Sequence, residues 1–185
     1  MANAGSMLDE ILESLTGLPI EERQALEALA DQATADMHWV PNPGPQTEAY
    51  FSEADELFYG GQAGGGKTDL LCGLAINEHE RSLILRRQGS DTGAIHERFD
   101  AILGERWSLP GQVIDIGGCL HEKDKQTYKG RPHDLKGFDE ISDFTESQYR
   151  FIIAWNRSAT PGQRSRVVAT GNPPTTPEGY WVLQY

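Results

Sequence analysis

Apolar positions along the chain fall into short compact runs that alternate with segments of helical period. Glu56-Leu57-Phe58-Tyr59 predicts a short strand, and Asp69 to Ile76 a mostly apolar helix. Ser82-Leu83-Ile84-Leu85 predicts a second strand that ends in Arg86-Arg87. Thr92 to Leu103 reads as a helix with Ala94, Ile95, Phe99 and Ile102 apolar. Gln112 to Ile116 reads as a strand, Gly117-Gly118 as a turn, and Cys119-Leu120-His121 as a returning strand. His121 to Lys125 holds metal-capable residues without metal-ligand spacing and reads as a solvated loop. A short strand then runs into Asp139-Glu140, with Lys136 and Gly137 interrupting its apolar run, and a helix follows from Thr145 to Trp155. Arg157, Arg164 and Arg166 frame the polar turn Thr160 to Gln163. The β-branched strand Arg166 to Thr170 leads into Gly171-Asn172-Pro173-Pro174.

The first sixty residues have a different character. Residues 1–6 read as a leader, with Met7 as a second possible start. Leu8, Ile11, Leu12 and Leu15 share one face of a short helix. Pro19 suits the first position of a second helix, with Glu21 and Glu22 in its first turn and Leu26, Leu29, Ala30 and Ala33 on one face. That face fits a partner-docking helix or, more simply, a helix packed on its own domain. His38 to Gln46 carries Pro41, Pro43 and Pro45 and reads as extended and irregular. The division is an acidic helical lead-in over 1–37 and a second domain over 38–185.

Composition sharpens this division. The net charge is −12, and residues 1–60 hold 12 acids against one base, Arg23. The remainder is close to neutral, and the overall acidity argues against a static DNA-coating protein but leaves room for brief contact through a local basic patch. No apolar run approaches a membrane span, and no signal-peptide pattern opens the chain. Cys72 and Cys119 are too few for a disulfide scaffold or a zinc site. Cys72 reads as a small core residue in an intracellular setting.

The chemistry is concentrated in Gly61-Gln62-Ala63-Gly64-Gly65-Gly66-Lys67-Thr68, which fits the phosphate-cradling P-loop pattern. Its glycines let backbone N–H groups approach a phosphate chain. Lys67 can reach the β- and γ-phosphates, and the Thr68 hydroxyl can ligate Mg²⁺. A strand enters the loop and a helix leaves it, so the helix N-terminus faces the phosphates. A flexible Gly-rich linker would lack those flanks. Glu140 stands 73 residues after Lys67. There Asp139 can hold the Mg²⁺ shell and Glu140 can deprotonate the attacking water. Thr170-Gly171-Asn172, at a strand end, can sense the γ-phosphate. Gln46 can donate and accept at once, which suits adenine, although alone it reads as a loop glutamine. Arg86 and Arg87 suit phosphate, DNA or a neighbouring acid.

From about Trp39 to Tyr185 the chain resembles the ATPase domain of phage large terminase subunits, which pump DNA into capsids. The matching stretches are Trp39-Val40-Pro41 with Gly44-Pro45-Gln46; Tyr59 to Thr68; Leu83 to Arg87; Gly130-Arg131 with Asp134 before Gly137-Phe138-Asp139-Glu140; and Thr170 to Pro174. The Gly-Lys-Thr loop is shared by many NTPases, whereas its combination with Gly-Phe-Asp-Glu and Gly-Asn-Pro-Pro is far more specific. The resemblance implies an α/β P-loop NTPase of the additional-strand type, with a mostly parallel central sheet flanked by helices behind a helical N-terminal lead-in. It implies ATP and Mg²⁺ as cofactors and hydrolysis coupled to translocation of double-stranded DNA.

By position, Gln46 resembles the adenine-reading glutamine, Lys67 and Thr68 the phosphate and Mg²⁺ ligands, and Asp139 the Walker B aspartate. Glu140 resembles the catalytic base and Thr170-Gly171-Asn172 the coupling motif. Arg131 is the candidate arginine acting in trans, with Lys129, Arg87 and Arg157 as rivals. The implied partners are transient double-stranded DNA, a homo-oligomeric ring, the portal protein and the small terminase subunit, with no membrane. The implied location is the cytoplasm of the bacterial host, docked on the procapsid. The chain reads as truncated before the family's nuclease domain, so no DNA cleavage is expected of it. A nucleotide-binding fragment without turnover and a helicase-like P-loop ATPase are the alternatives.

Overall fold

The computed structural model describes residues 17–61, 64–104 and 108–185, without the side chains at 26, 27, 30 and 31. The expectations for the leader, the helix from Leu8 to Leu15, Gln62 and Ala63 lie outside the described residues. So do those for the Leu26 and Ala30 side chains. The chain forms two units, Met1–Met37 and His38–Tyr185. In the first, α1 spans Ile20–Thr34, with Pro19 just ahead of it and Glu21 and Glu22 in its first turn.

The second unit is built on five parallel strands: β1 (Glu56–Gly60), β2 (Arg81–Arg86), β3 (Val113–Gly118), β4 (Leu135–Asp139) and β5 (Arg166–Gly171). Their spatial order is β1-β5-β4-β2-β3. Strand β5, last in the chain, therefore lies between the strand that enters the glycine loop and the strand that carries Asp139. Parallel strands need crossover connections, and helices supply most of them. The helices are α2 (Pro45–Phe51), α3 (Lys67–Asn77), α4 (Gly93–Leu103) and α5 (Glu146–Ile153).

Helix α3 is apolar nearly all round because it is covered on two sides. Leu70, Leu71, Cys72, Leu74, Ala75 and Ile76 are all buried. On the sheet side it meets β4 at Gly137, where an added Cβ would lie 3.2 Å from Leu71 Cδ2 and 3.3 Å from Ile84 Cγ1. On the other side the Trp39 ring lies against Gly73, so closely that an added Cβ would overlap the ring carbons. Asn77 ties that segment down, donating to the Trp39 carbonyl at 2.6 Å and accepting from the His38 amide at 3.1 Å. The opposite sheet face buries Leu83, Leu85, Phe138, Phe144, Tyr149, Ile152, Val167 and Trp181. Each such side chain contributes about 1.5–3 kcal/mol by burial. The polar ends of the large aromatics are satisfied: Trp181 Nε1–H donates to the Phe144 carbonyl at 2.8 Å, and the Tyr149 hydroxyl to Glu56 at 3.0 Å. Thr145 caps α5 by a capping box with Gln148.

Several local expectations are corrected. His38 to Gln46 is not irregular to its end, because Pro45 occupies the first turn of α2, where its missing N–H costs nothing. Gly117-Gly118 is no turn: both pair with β2 as the last residues of β3. They are glycines because an added Cβ would meet the Tyr128 hydroxyl at 2.6 Å and the Gly89 amide nitrogen at 2.5 Å. Cys119 to His121 forms no returning strand, and Glu122–Tyr128 is a 3₁₀ helix rather than a charged loop. Lys136 does not interrupt β4. It points away from α3, 1% exposed, and its Nζ donates to the Arg131 carbonyl at 3.1 Å and to His133 Nδ1 at 2.9 Å. The other ring nitrogen, Nε2, meets Asp115 at 2.9 Å.

Candidate functional site

The strand register assembles the site. Asp139, the last residue of β4, stands beside Thr170 of β5, and Gly60 beside Gly171. Leu85 pairs with Phe138, so Arg86 comes level with Asp139. All these positions are at the carboxyl ends of the strands, where parallel α/β sheets place their ligands. The loop after β1 delivers Lys67 and Thr68 as the first residues of α3. Gly66 takes φ +67 at the helix N-cap, a left-handed conformation that favours glycine. A Cβ there would also overlap Gln46 Nε2.

A cleft of about 360 Å³ opens among Gly64, Gly65, Gly66, Lys67, Thr68, Asp69, Glu140 and Asn172. Lys67 Nζ donates to the Gly61 carbonyl and to Asn172 Oδ1, both at 3.1 Å. The Thr68 hydroxyl lies 3.3 and 3.2 Å from the two Asp139 oxygens. The Thr170 hydroxyl donates to Asp139 Oδ1 at 3.0 Å. Arg86 places Nε and a terminal nitrogen each 2.8 Å from Asp139 Oδ2. Glu140, just after β4, takes φ +58, a left-handed conformation that costs a non-glycine residue about 1–2 kcal/mol. The turn behind it holds it there, with the Asp143 amide donating to its carbonyl at 3.0 Å. Its side chain accepts from the Asn172 amide at 3.4 Å.

Gln46 supports the loop from α2. Its Nε2 donates to the Gly66 carbonyl at 2.8 Å and its Oε1 accepts from the Asn42 amide at 2.6 Å. One N–H and one lone pair of the amide remain. Asp69 is held by Arg98 of α4, at 2.5 and 2.9 Å. Burial first, then the neighbouring Asp69 and Asp139 charges, push the Cys72 thiol far above its ordinary range, so it is an inert core group.

The structure thus brings Lys67, Thr68, Asp139, Glu140, Thr170, Gly171 and Asn172 together, with Gln46 behind them. It does not bring Arg131. That residue precedes β4, at the opposite end of the strand from Asp139, and its carbonyl accepts from Lys136. Arg157 lies at the same end, over the Trp155 ring. Lys129 is exposed beside Arg131, and Arg87 is spent on the Gln148 side chain. Of three contacts at the site, the sequence left one among several options and two unread. For Arg86 the signal was its place at a strand end, and a neighbouring acid was among its options. Neither the Thr170 contact with Asp139 nor the Arg98 contact with Asp69 had a signal, because both depend on register and helix placement.

A divalent cation fits this donor set. Among the described residues no cluster of three or more His, Cys, Asp or Glu side chains could cage a metal. A hydroxyl and a carboxylate in contact are instead the hard oxygen pair that Mg²⁺ takes alongside substrate phosphates. When bound, the ion would supply charge neutralisation of the phosphates from Thr68 and Asp139.

Fold and glycine loop together define an α/β P-loop fold of the additional-strand type. No family model matches the chain, and no curated protein matches it. Among solved structures it is similar to the large terminase from a thermophilic bacteriophage, with TM-score 0.57 and 15% identity over 76% of this chain. The matched region covers 41% of that protein, so the chain spans less than half its length. At this identity the likeness is one of fold: the second unit has a terminase-like α/β fold.

Proposed function

We propose that the chain is an ATP-hydrolysing motor domain of a phage large terminase, in which Mg²⁺-dependent hydrolysis drives translocation of double-stranded DNA. One observation carries this reading: three strand ends and one helix start converge on a single cleft lined by Lys67, Thr68, Glu140 and Asn172, with the buried Asp139 carboxylate against the Thr68 hydroxyl. Backbone N–H groups of the glycine loop and the α3 N-terminus bind the phosphates. Lys67 balances the β- and γ-phosphate charge, while Thr68 and Asp139 hold the cation. Glu140 orients the attacking water and takes its proton. Asn172 touches Lys67 and, through its amide, Glu140. A change at the γ-phosphate can therefore move the β5 terminus directly.

Among the described residues that line the cleft, Lys67 is the single basic side chain. This favours assembly into a homo-oligomeric ring whose neighbour supplies an arginine, with Arg131 the candidate because it lies away from its own cleft. Such a charge is worth ~10³–10⁵ in rate. Double-stranded DNA, a portal protein and a small terminase subunit are the proposed partners, in the host cytoplasm.

The test is ATP hydrolysis against protein concentration, with and without double-stranded DNA, for wild type, Lys67→Ala and Glu140→Gln. Turnover that rises steeply with concentration and is lost in both variants, while Glu140→Gln still binds ATP, is the expected result. Undiminished turnover in Glu140→Gln would refute the assigned base. Tight ATP binding without turnover at any concentration would leave a nucleotide-binding module.

A further inference from the structure

Asp139 carries more protein contacts than a cation ligand needs. Its side chain is 1% exposed. A carboxylate offers about four lone-pair sites. Thr68, Thr170 and two nitrogens of Arg86 already address them. The Arg86 contact is of a different kind from the two hydroxyls. It brings a full positive charge against a buried carboxylate, which would otherwise be left uncompensated at high cost. Arg86 is also less enclosed than its partner, at 23% exposure, and its remaining nitrogen donates to the Asp91 carbonyl, at 3.2 Å. That carbonyl belongs to the short 3₁₀ turn Gly89–Thr92, just after β2.

We propose that Arg86 is a resident counter-cation of Asp139 that competes with the divalent cation, so that it sets the Mg²⁺ concentration at which the site loads. The inference rests on the reading that Thr68 and Asp139 hold that ion. Two cations on one buried carboxylate repel each other. A divalent ion at Asp139 therefore weakens the Arg86 pair, and by linkage the Arg86 pair weakens the ion by the same factor. Arg86 also keeps Asp139 fixed for the ion's arrival. Arg86 is thus a positioning residue here, since it acts through Asp139.

The test reads cation binding to the full chain without nucleotide or turnover. Mn²⁺ is titrated and followed by electron paramagnetic resonance for wild type, Arg86→Gln, Arg86→Lys and Asp139→Asn. The expected result is binding that Asp139→Asn abolishes and Arg86→Gln tightens about tenfold, within the usual range of coupling between linked sites. Arg86→Lys, which keeps the charge, stays near wild type. Unchanged or weaker Mn²⁺ binding in a folded Arg86→Gln overturns the proposal, as does equal tightening in Arg86→Lys.

A second readout needs no substitution. In the ¹⁵N spectrum of the wild-type chain the Arg86 Nε–H resonance should move on Mg²⁺ addition, together with the Thr68 amide. A Thr68 amide that moves while Arg86 Nε–H does not overturns the competition alone. If neither responds to Mg²⁺, the proposal falls together with the cation role of Thr68 and Asp139. A parallel titration with a fluorescent ATP analogue reports separately whether the nucleotide reading stands.

Discussion

Lys136 offers a stability test that is independent of nucleotide. Burial draws its ammonium down from 10.5 to about 8, with Asp115 opposing the shift and Arg157 adding to it. The unfolded chain keeps that proton until about pH 10.5, whereas the folded chain releases it near 8. Between those values the unfolded state binds more protons, so wild-type stability from this group rises with pH. The charged, buried form is a burden below pH 8 that disappears as both states become neutral. At ~1.4 kcal/mol per unit, the gap corresponds to about 3 kcal/mol.

Lys136→Met keeps the stem's volume and removes the titration. It also deprives the Arg131 carbonyl and His133 Nδ1 of a donor, at about 1–3 kcal/mol, but that cost does not vary across the window. His133 is itself held below its ordinary value, first by burial, and so titrates below the window. The thiols and tyrosines are common to both proteins and cancel in the difference. Urea unfolding of wild type and Lys136→Met, from about pH 7 to about pH 10, should show the variant's relative stability falling by about 2 kcal/mol. A flat difference across that range would refute the argument that burial depresses this amine.

Two further outcomes follow from packing. Gln46→Ala strands the Gly66 carbonyl and the Asn42 amide, and should lose about 2 kcal/mol in urea without any nucleotide present; unchanged stability would exclude the brace. Gly73→Ala gains about 1 kcal/mol of helix propensity but drives a methyl into the Trp39 ring. It should destabilise by about 2 kcal/mol net in thermal unfolding, as overpacked cores do; a rise in Tm would show that the segment around Trp39 yields freely.

The sequence by itself determined the five strands and the helices α1, α3, α4 and α5, because compact apolar runs and period-3.6 patterns are local properties; it did not reveal α2 or the 3₁₀ helix at Glu122–Tyr128. It also determined the glycine loop, since a phosphate cradle demands small residues at fixed spacing before a lysine and a hydroxyl. Thr68, Asp139 and Glu140 were legible for the same reason: each sits at the end of its own element, next to a change of pattern. Tertiary structure alone decided the strand order and register, and with them every contact between elements. Leu85 facing Phe138 puts Arg86 on Asp139, and Asp139 beside Thr170 brings a second hydroxyl to the carboxylate. The glycines of β3 looked like a turn because their reason is the approach of Tyr128 and Gly89, which are distant or unpaired in sequence. Lys136 looked like a flaw in its strand because its compensation, the Arg131 carbonyl and the His133–Asp115 pair, comes from the loop before β4 and from a strand two places across the sheet. A one-dimensional pattern records which residues must be buried; only the fold supplies the partners that make burial of a charge tolerable.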